Sequence, residues 1–467
     1  MKARLALALM FVAAACRVGP EHHVPEVHLA AAWTEPGADP ATEPVATWWR
    51  SFGDAHLDAL VERALANNID IQIAATRVRE ARALRAATAG AWDPQLSAGL
   101  GVTRSSPSTT TNTVRSLGTS SLFDAGFDAR WEIDLFGRRE HAVEAADANI
   151  GVAIENRNDA VVSMLGEIAR NYIELRGLQR QIAITRSNLE LQRESAELTR
   201  RRFEAGFSNE LDVARSEALI ATTTAQIPSF ESAARAALHT LSVLIGETPG
   251  ALALELESAA PVPEAPATVA TGLPSELLRR RPDVRAAERE LARATAQSGA
   301  AIAAQYPSFS LSAALGQQSR SFAGLFDADS NAWSAGGSLV APILNGGTLK
   351  AEVAASEARA DAARLGYRKT VIAAVAEVES ALAAVGRERS RRESLATAVA
   401  ADRRAVTLVN DLYTQGIVSF FEVLEAQQSV LRSESSLAAS DTDLSARTVA
   451  LYKALGGGWE VVPAVGE

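Results

Sequence analysis

An internal repeat is the feature that most limits what this chain can fold into. Residues of similar character recur in order, at a shift of 213 residues early in each half and of 210 residues later. Generic likeness between alanine-rich helices is the alternative explanation, but it does not predict an ordered series. We therefore expect one structural unit used twice. The matched pairs include Asp70 and Asp283, Ala74 and Ala287, Pro94 and Pro307, Gly206 and Gly416, and Asp212 and Glu422.

Each half begins with a helix of moderate length, about 69–91 and 283–305, which leads to a proline and two alternating stretches. The alternation is sharpest in the first half, where every second residue is apolar and the residues between are mostly charged. The apolar set is Phe123, Ala125, Phe127, Ala129, Trp131 and Ile133, and the other set is Asp124, Gly126, Asp128, Arg130, Glu132 and Asp134. A hairpin half-buried on an ordinary core is one interpretation. The length and the charged face favour a tilted membrane strand that lines a water-filled lumen.

A very long, proline-free helical pattern follows each strand pair, at about 139–205 and 349–415. At ~1.5 Å per residue each helix would extend roughly 100 Å, which is typical of a coiled coil or a tubular bundle. Glycine turns at Gly206 and Gly416 then lead into return helices at 208–245 and 418–455. We expect Pro228 to kink or interrupt the first return helix.

The two turns carry residues that cap helices. Ser208 or Asn209 can cap the first return helix, with Asp212 at the third helical position of the Asn209 frame. Ser419 and Glu422 form a capping-box pattern at the start of the second.

The N-terminus has the features of a bacterial lipoprotein signal. Lys2 and Arg4 precede an apolar stretch at 5–15, which is too short to span a bilayer but suits a signal peptide. Small residues run into Cys16, the single cysteine of the chain, in a pattern that resembles a lipobox. An ordinary signal peptide, cut near an Ala-x-Ala site, is the alternative.

No later segment offers about 18 consecutive apolar residues, so a helical membrane span after the signal is not expected. If the mature protein crosses a membrane, it must do so by a closed barrel, because an open strand edge in lipid leaves backbone groups unpaired. Four strands cannot close a barrel. We therefore expect several chains to share one, and three copies would supply twelve strands.

Composition disfavours other classes of protein. The net charge of −10 and the lack of a basic, aromatic-rich cluster argue against nucleic-acid binding. The 6 histidines form no spaced ligand set, so no metal is expected. There is no nucleophile elbow and no phosphate-binding loop, so we do not expect an enzyme.

These patterns predict a chain that is mainly helical with membrane strands. The expected organisation is 1–15 signal peptide, 16–68 lipidated N-terminal arm and short helix, 69–246 first repeat with a strand pair about 95–134, 247–273 equatorial linker, 274–455 second repeat with a strand pair about 308–343, and 456–467 C-terminal tail.

Several motifs spread over nearly the whole chain resemble the TolC-like outer-membrane efflux proteins, in particular their lipidated OprM/NodT branch. The matching blocks are Cys16-Arg17-Val18-Gly19-Pro20, Trp48-Trp49 with Phe52, Asp134-Leu135-Phe136-Gly137-Arg138, Leu273-Pro274-Ser275, Arg281-Pro282-Asp283-Val284, and Tyr413 with Gly416 and Ala426-Gln427. The block at 281–284 is the most specific of them.

The resemblance implies a homotrimer with a twelve-stranded outer-membrane β-barrel, continued through the periplasm by an α-helical barrel. It implies a passive efflux duct for small molecules such as drugs, without a cofactor. A duct for type I protein secretion is the alternative. The implied partners are a periplasmic adaptor (membrane fusion) protein and an inner-membrane pump of the resistance-nodulation-division (RND) type, and the chain would be lipid-anchored in the outer membrane.

The resemblance also implies where the duct would close. Acidic residues on the second return helix line the constriction in this family, and the matching positions are Glu422 and Glu425. They are three residues apart and share a helix face, so a trimer would carry two rings of carboxylates. A cap at Glu422 and a solvated Glu425 are the alternative. The candidate adaptor contacts are the tip turns, namely Gly206, Asp212, Gly416 and Ser419.

Overall fold

The computed structural model describes residues 17–36, 38–39, 46–106 and 119–463. The predicted signal peptide at 1–15 and the predicted lipidation site at Cys16 lie outside these ranges.

Helices dominate the chain, as the periodicity predicts. They are α1 (Ala55–Asn67), α2 (Ile69–Gly90), α3 (Arg138–Glu204), α4 (Glu210–Leu244), α5 (Ala253–Leu256), α6 (Leu277–Arg280), α7 (Pro282–Ala303), α8 (Thr348–Thr414) and α9 (Phe420–Ala454). The long helices α3 and α8 have 67 residues each, and the return helices α4 and α9 have 35 residues each. The two helical hairpins therefore have helices of equal length in the two halves.

Four strands form one antiparallel sheet in the order β1-β2-β3-β4, with β1 at Gln95–Ser105, β2 at Ser120–Ile133, β3 at Ser308–Ser319 and β4 at Asn331–Val340. The two strands of each half pair with each other, and β2 pairs with β3 to join the halves. A separate, two-residue parallel ladder joins Ala38–Asp39 to Val269–Ala270.

The register of the sheet places all the charges of β2 on one face. Asp124 lies opposite Gly101 and Gln318, and Asp128 lies opposite Ser97 and Ala314. The other face carries the large apolar residues Leu96, Leu100, Val102, Phe127, Leu311, Leu315, Trp333 and Leu339, all of them exposed. A sheet that exposes its apolar face cannot be half-buried on a core of its own chain, so that interpretation is wrong.

Contacts divide the chain into two compact units. The first contains residues 17–26, 77–153 and 286–367 and includes the whole sheet. The second contains residues 27–76, 154–285 and 368–463 and includes both hairpin turns. Each unit therefore draws on both halves of the sequence.

The second unit holds its N-terminal segment by specific polar contacts. The indole Nε1 of Trp33 donates to the carbonyl oxygen of Gly272 at 2.8 Å. The Glu379 carboxylate accepts the backbone N–H groups of Thr34 at 2.8 Å and Glu35 at 3.1 Å. These contacts fix the extended arm against a helix more than 300 residues later in the chain.

Helix α4 continues without interruption through Pro228, which leaves a kink as the remaining form of the expected disturbance there. The linker at 247–273 contains the short helix α5 and a two-residue strand. In the C-terminal tail, Trp459–Val461 form a turn of 3-10 helix. Within the described ranges, none of the helices combines the length and the apolar character needed to cross a membrane.

Candidate functional site at the hairpin tips

Glycine makes both hairpin turns possible. Gly206 and Gly416 have φ angles of +78° and +76°, in the left-handed region that other residues rarely adopt. Two backbone hydrogen bonds close each turn. The glycine N–H donates to the carbonyl oxygen three residues earlier, and the N–H of the next residue donates to the carbonyl oxygen five residues earlier. This is the Schellman arrangement that ends many helices. A side chain at either glycine would strain the turn.

The two return helices begin with different side-chain contacts. The Asn209 side chain accepts the N–H of Asp212 at 3.0 Å and caps α4, while the Ser208 hydroxyl donates to the Asp212 carboxylate at 3.1 Å. Ser419 occupies the N-cap position of α9, but its side chain makes no cap hydrogen bond. Its hydroxyl donates to the Glu422 carboxylate instead. The half of the expected capping box in which the serine oxygen accepts a backbone N–H is therefore absent.

The two candidate gate residues lie on the exposed face of α9. Glu422 and Glu425 are both exposed, whereas Val423 and Leu424 between them are buried. The hydrogen bond from Ser419 lowers the pKa of Glu422 below its usual range, so this carboxylate keeps its charge at more acidic pH. Within the described part of the chain, no group of three or more acidic, histidine or cysteine side chains is arranged to hold a metal.

An apolar cluster stabilises the second tip from inside. Tyr413, Phe420, Val423 and Leu424 form its buried core, and the rings of Tyr413 and Phe420 lie 5.5 Å apart. Leu219 of the first hairpin packs against the same cluster. The buried face of α9 therefore fixes the direction in which Glu422 and Glu425 point.

Two arginines of the first hairpin contact aromatic rings of the second. The guanidinium of Arg202 lies 4.7 Å from the ring centroid of Tyr413 and donates to the Tyr413 carbonyl oxygen at 3.2 Å. The guanidinium of Arg215 lies 5.7 Å from the ring centroid of Phe421. Such cation–π contacts join the two tips directly.

Sequence reasoning missed two apolar residues at the ends of the turns. Phe207 is 76% exposed and Ile417 is 64% exposed. Each follows its turn glycine, and the two residues match at the 210-residue shift. That match was the available signal, but apolar side chains are usually expected to be inside.

A family model described as "Outer membrane efflux protein" matches this chain at residues 60–247 and 273–457. Each match contains one strand pair and one helical hairpin. The solved structure of the outer-membrane channel OprN superposes with a TM-score of 0.89 at 34% identity, covering 95% of this chain and 100% of that chain.

Two relatives are similar to this chain over most of its length. Nodulation protein T of Rhizobium leguminosarum bv. trifolii is 32% identical over 458 residues, covering 97% of this chain and 96% of the relative. The pyoverdine export outer membrane protein OpmQ of Pseudomonas aeruginosa is 34% identical over 422 residues, covering 88% and 87%. The chain therefore belongs to the outer membrane efflux protein family.

Proposed function

We propose that three copies of this chain form a passive duct that carries small molecules across the outer membrane, closed at the hairpin tips by Glu422 and Glu425. Family membership establishes an outer-membrane efflux channel. The trimer, the cargo class and the gate residues are the further steps of the proposal.

The observation that carries the proposal is the four-stranded sheet with one apolar face, one charged face and two edges that no described strand pairs with. Such a sheet is suited to lipid on one side and water on the other. One such sheet is not stable alone in a membrane, because its edges expose backbone N–H and C=O groups to lipid. Each such group costs several kcal/mol, about as much as any polar group buried without a hydrogen bond. Three copies would join four strands each into a closed ring of twelve.

The gate proposal rests on the exposed carboxylates of α9. In a trimer, Glu422 and Glu425 would form two rings of three charges that face the axis and favour cations over anions. The buried Tyr413 cluster on the opposite face of α9 supports this orientation.

The proposed partners are a periplasmic adaptor protein and an inner-membrane pump of the RND type. The tip turns, with Gly206, Asp212, Gly416 and Ser419, are the proposed adaptor contacts. Lipidation at Cys16 is proposed as the anchor in the outer membrane. The similar protein OpmQ is named for the export of pyoverdine, which supports a small-molecule cargo rather than protein secretion.

Removing the two carboxylates tests the gate. We expect the double variant Glu422→Gln and Glu425→Gln, reconstituted in planar bilayers, to lose most of its cation preference, because six charges leave the constriction. The measurement is the reversal potential under a salt gradient, together with single-channel conductance.

Asp212→Asn is the matched control for this experiment. Asp212 is the counterpart of Glu422 in the first hairpin at the 210-residue shift, and Asp212→Asn removes one charge per chain, as Glu422→Gln alone does. We expect it to leave the reversal potential nearly unchanged. Equal effects of the control and the double variant, or no effect of either, would remove Glu422 and Glu425 from the gate.

The hydrogen bond from the Ser419 hydroxyl leads to a second prediction, which concerns the pH dependence of cation selectivity. Because this hydrogen bond lowers the pKa of Glu422, its loss in Ser419→Ala raises that pKa, and the carboxylate then takes up a proton at a higher pH. In a Glu425→Gln background, we expect cation preference to disappear at a higher pH in Ser419→Ala than with Ser419 present. Ser419→Thr keeps the hydroxyl and should keep the original profile. A profile that does not move in Ser419→Ala would show that Glu422 does not set the selectivity.

A further inference from the structure

One face of α3 is polar over seven successive core positions. The positions alternate at spacings of four and three residues, which keeps them on one side of the helix, as the core positions of a coiled coil are. All seven are buried or half-buried, and they are Gln181, Thr185, Asn188, Gln192, Ser195, Thr199 and Arg202. Such positions are normally apolar, so this face departs from the usual pattern of a helical hairpin.

The second hairpin does not repeat this polarity. A shift of 210 residues places α3 on α8 from end to end. The counterparts on α8 are Arg391, Leu395, Ala398, Asp402, Ala405, Val409 and Leu412, and five of these seven are apolar. The polarity of α3 is therefore a property of this helix and not of the repeated unit.

Hydrogen bonds join this face of α3 to α9 once in every seven residues. The three contacts are Gln181 Nε2 donating to the Ser435 carbonyl oxygen at 2.7 Å, Asn188 Nδ2 donating to Glu434 Oε2 at 2.9 Å, and Gln427 Nε2 donating to the Ser195 hydroxyl at 2.6 Å. The polar face of α3 and the facing residues of α9 thus form one contact, which we call the α3–α9 seam.

Several buried amide atoms of the α3–α9 seam have no hydrogen-bond partner among the described residues. Gln192 is 2% exposed, and neither its side-chain nitrogen nor its side-chain oxygen has one. Exchanging these two atoms would change nothing, because both lack a partner. The side-chain oxygens of Gln427 and Gln181 are in the same situation. Buried amides are almost always hydrogen-bonded, and where no protein group does this the partner is ordered water.

Apolar clusters lie on both sides of Gln192 along the seam. Towards the start of α3, Ile184 packs with Leu431 and Ala438. Towards the turn, the buried cluster of Tyr413 and Phe420 closes the tip. The polar stretch is therefore enclosed at both ends, so water within it is held rather than shared freely with the solvent.

We propose that ordered water molecules are bound inside the α3–α9 seam, between these two apolar clusters, with Gln192 and Gln427 as their main ligands. The Gln192 amide has two donors and one acceptor oxygen, so it binds more than one of them. The waters supply the hydrogen bonds that the protein groups do not, and they link the two hairpins alongside the direct contacts. They are bound whatever the cargo and the gate residues of the proposed function are.

High-resolution cryo-electron microscopy of the intact protein tests this directly. We expect ordered density at about 2.7–3.2 Å from both amide atoms of Gln192 and from Oε1 of Gln427. A map that shows these side chains and ordered waters elsewhere in the hairpins, but no density within hydrogen-bond distance of Gln192 and Gln427, would overturn the proposal.

Hydrogen–deuterium exchange of the variant Gln192→Met gives an independent measurement. Methionine is close to glutamine in size and shape but has no amide. If no water were bound, the substitution would remove an unsatisfied buried amide, and exchange of the segment 185–199 would slow roughly tenfold or more. We expect exchange to be unchanged or faster instead, because the substitution removes water-mediated hydrogen bonds that were already made.

Gln428→Met is the matched control for Gln192→Met. Gln428 is exposed on α9, next to the buried Gln427, so its substitution should leave the exchange of 185–199 unchanged. Exchange that is tenfold slower in Gln192→Met than in Gln428→Met would show that the Gln192 amide binds no water, and it would reject the proposal even if the map were of lower quality.

Discussion

Replacing Arg281 with methionine is expected to lower the free energy of unfolding by about 2 kcal/mol, the order of lost hydrogen bonds to charged groups, because Arg281 is buried while its carboxylate partners are partly exposed. The guanidinium is largely buried and donates to both carboxylate oxygens of Asp283, at 2.9 and 2.7 Å. It also donates to Glu377 at 2.8 Å and to the carbonyl oxygen of Ala454, at the end of α9, at 2.6 Å. Burial alone would lower the pKa of Arg281, but the two carboxylates outweigh burial and raise it, so the charge is permanent. Methionine would leave both carboxylates and one helix-end carbonyl without this donor.

Arg364→Met is the matched control for Arg281→Met. Arg364 is 61% exposed, and among the described residues its ion pair is with Asp361 on its own helix, at 2.9 Å, so we expect a loss below about 1 kcal/mol. Arg281→Lys keeps the charge but not the planar fork that binds Asp283 with two hydrogen bonds, and it should fall between the two. Denaturant unfolding of the purified protein measures all three. Equal losses for Arg281→Met and Arg364→Met would mean that the Arg281 contacts contribute no more than a surface pair.

The motif around Arg281 shows what sequence reasoning reaches and where it stops. The block at 281–284 was identified only by resemblance, because its hydrogen bonds lead to Glu377 and Ala454, which are 96 and 173 residues away. No pattern in the neighbouring sequence predicts such distant contacts. Gly456 has a φ of +72°, and a Cβ there would lie 2.9 Å from the Arg281 backbone, which indicates how closely the end of α9 approaches the motif.

The helices and strands, by contrast, were predictable because their signals are periodic. The expected long helices at 139–205 and 349–415 begin one residue earlier in the structure, at Arg138 and Thr348. Alternation placed the charges of β2 on one face correctly. Repetition doubled the evidence, since each element had a counterpart against which to check it.

The tips were predicted in position but not in detail. Glycine marked both turns, yet residue type alone did not decide whether Ser208 or Asn209 caps α4. Residue type also did not reveal that the Ser419 hydroxyl donates to the Glu422 carboxylate and makes no cap hydrogen bond. The exposure of Phe207 and Ile417 was not predicted. An apolar residue is expected to be buried within its own chain, and its sequence does not distinguish it from an apolar residue on an interaction surface.

Replacing Tyr413 with alanine is expected to destabilise the second tip locally by about 3 kcal/mol, the usual cost of emptying a buried aromatic site. Tyr413 is 6% exposed and packs against Phe420. It also receives the guanidinium of Arg202 on its ring, and its hydroxyl lies 3.4 Å from that of Thr199. Its removal would therefore create a cavity and weaken the contact of the first hairpin with the second. Hydrogen–deuterium exchange of the segment around the turn should accelerate roughly a hundredfold, which corresponds to this energy.

The variant Phe203→Ala is the control for the loss of an aromatic ring as such, without the loss of the buried Tyr413 contacts. Phe203 is the counterpart of Tyr413 at the 210-residue shift, but it is 40% exposed, so we expect a cost below about 1 kcal/mol and little change in exchange. Tyr413→Phe retains the ring, the cation–π contact and the packing, and should behave nearly as the original protein does. If Glu422 and Glu425 close the duct, Tyr413→Ala should also raise the basal conductance, because the buried face that orients both carboxylates would lose its main support. Faster exchange without increased conductance would assign the Tyr413 cluster to tip stability alone, and unchanged exchange would show that the cluster does not hold the tips together.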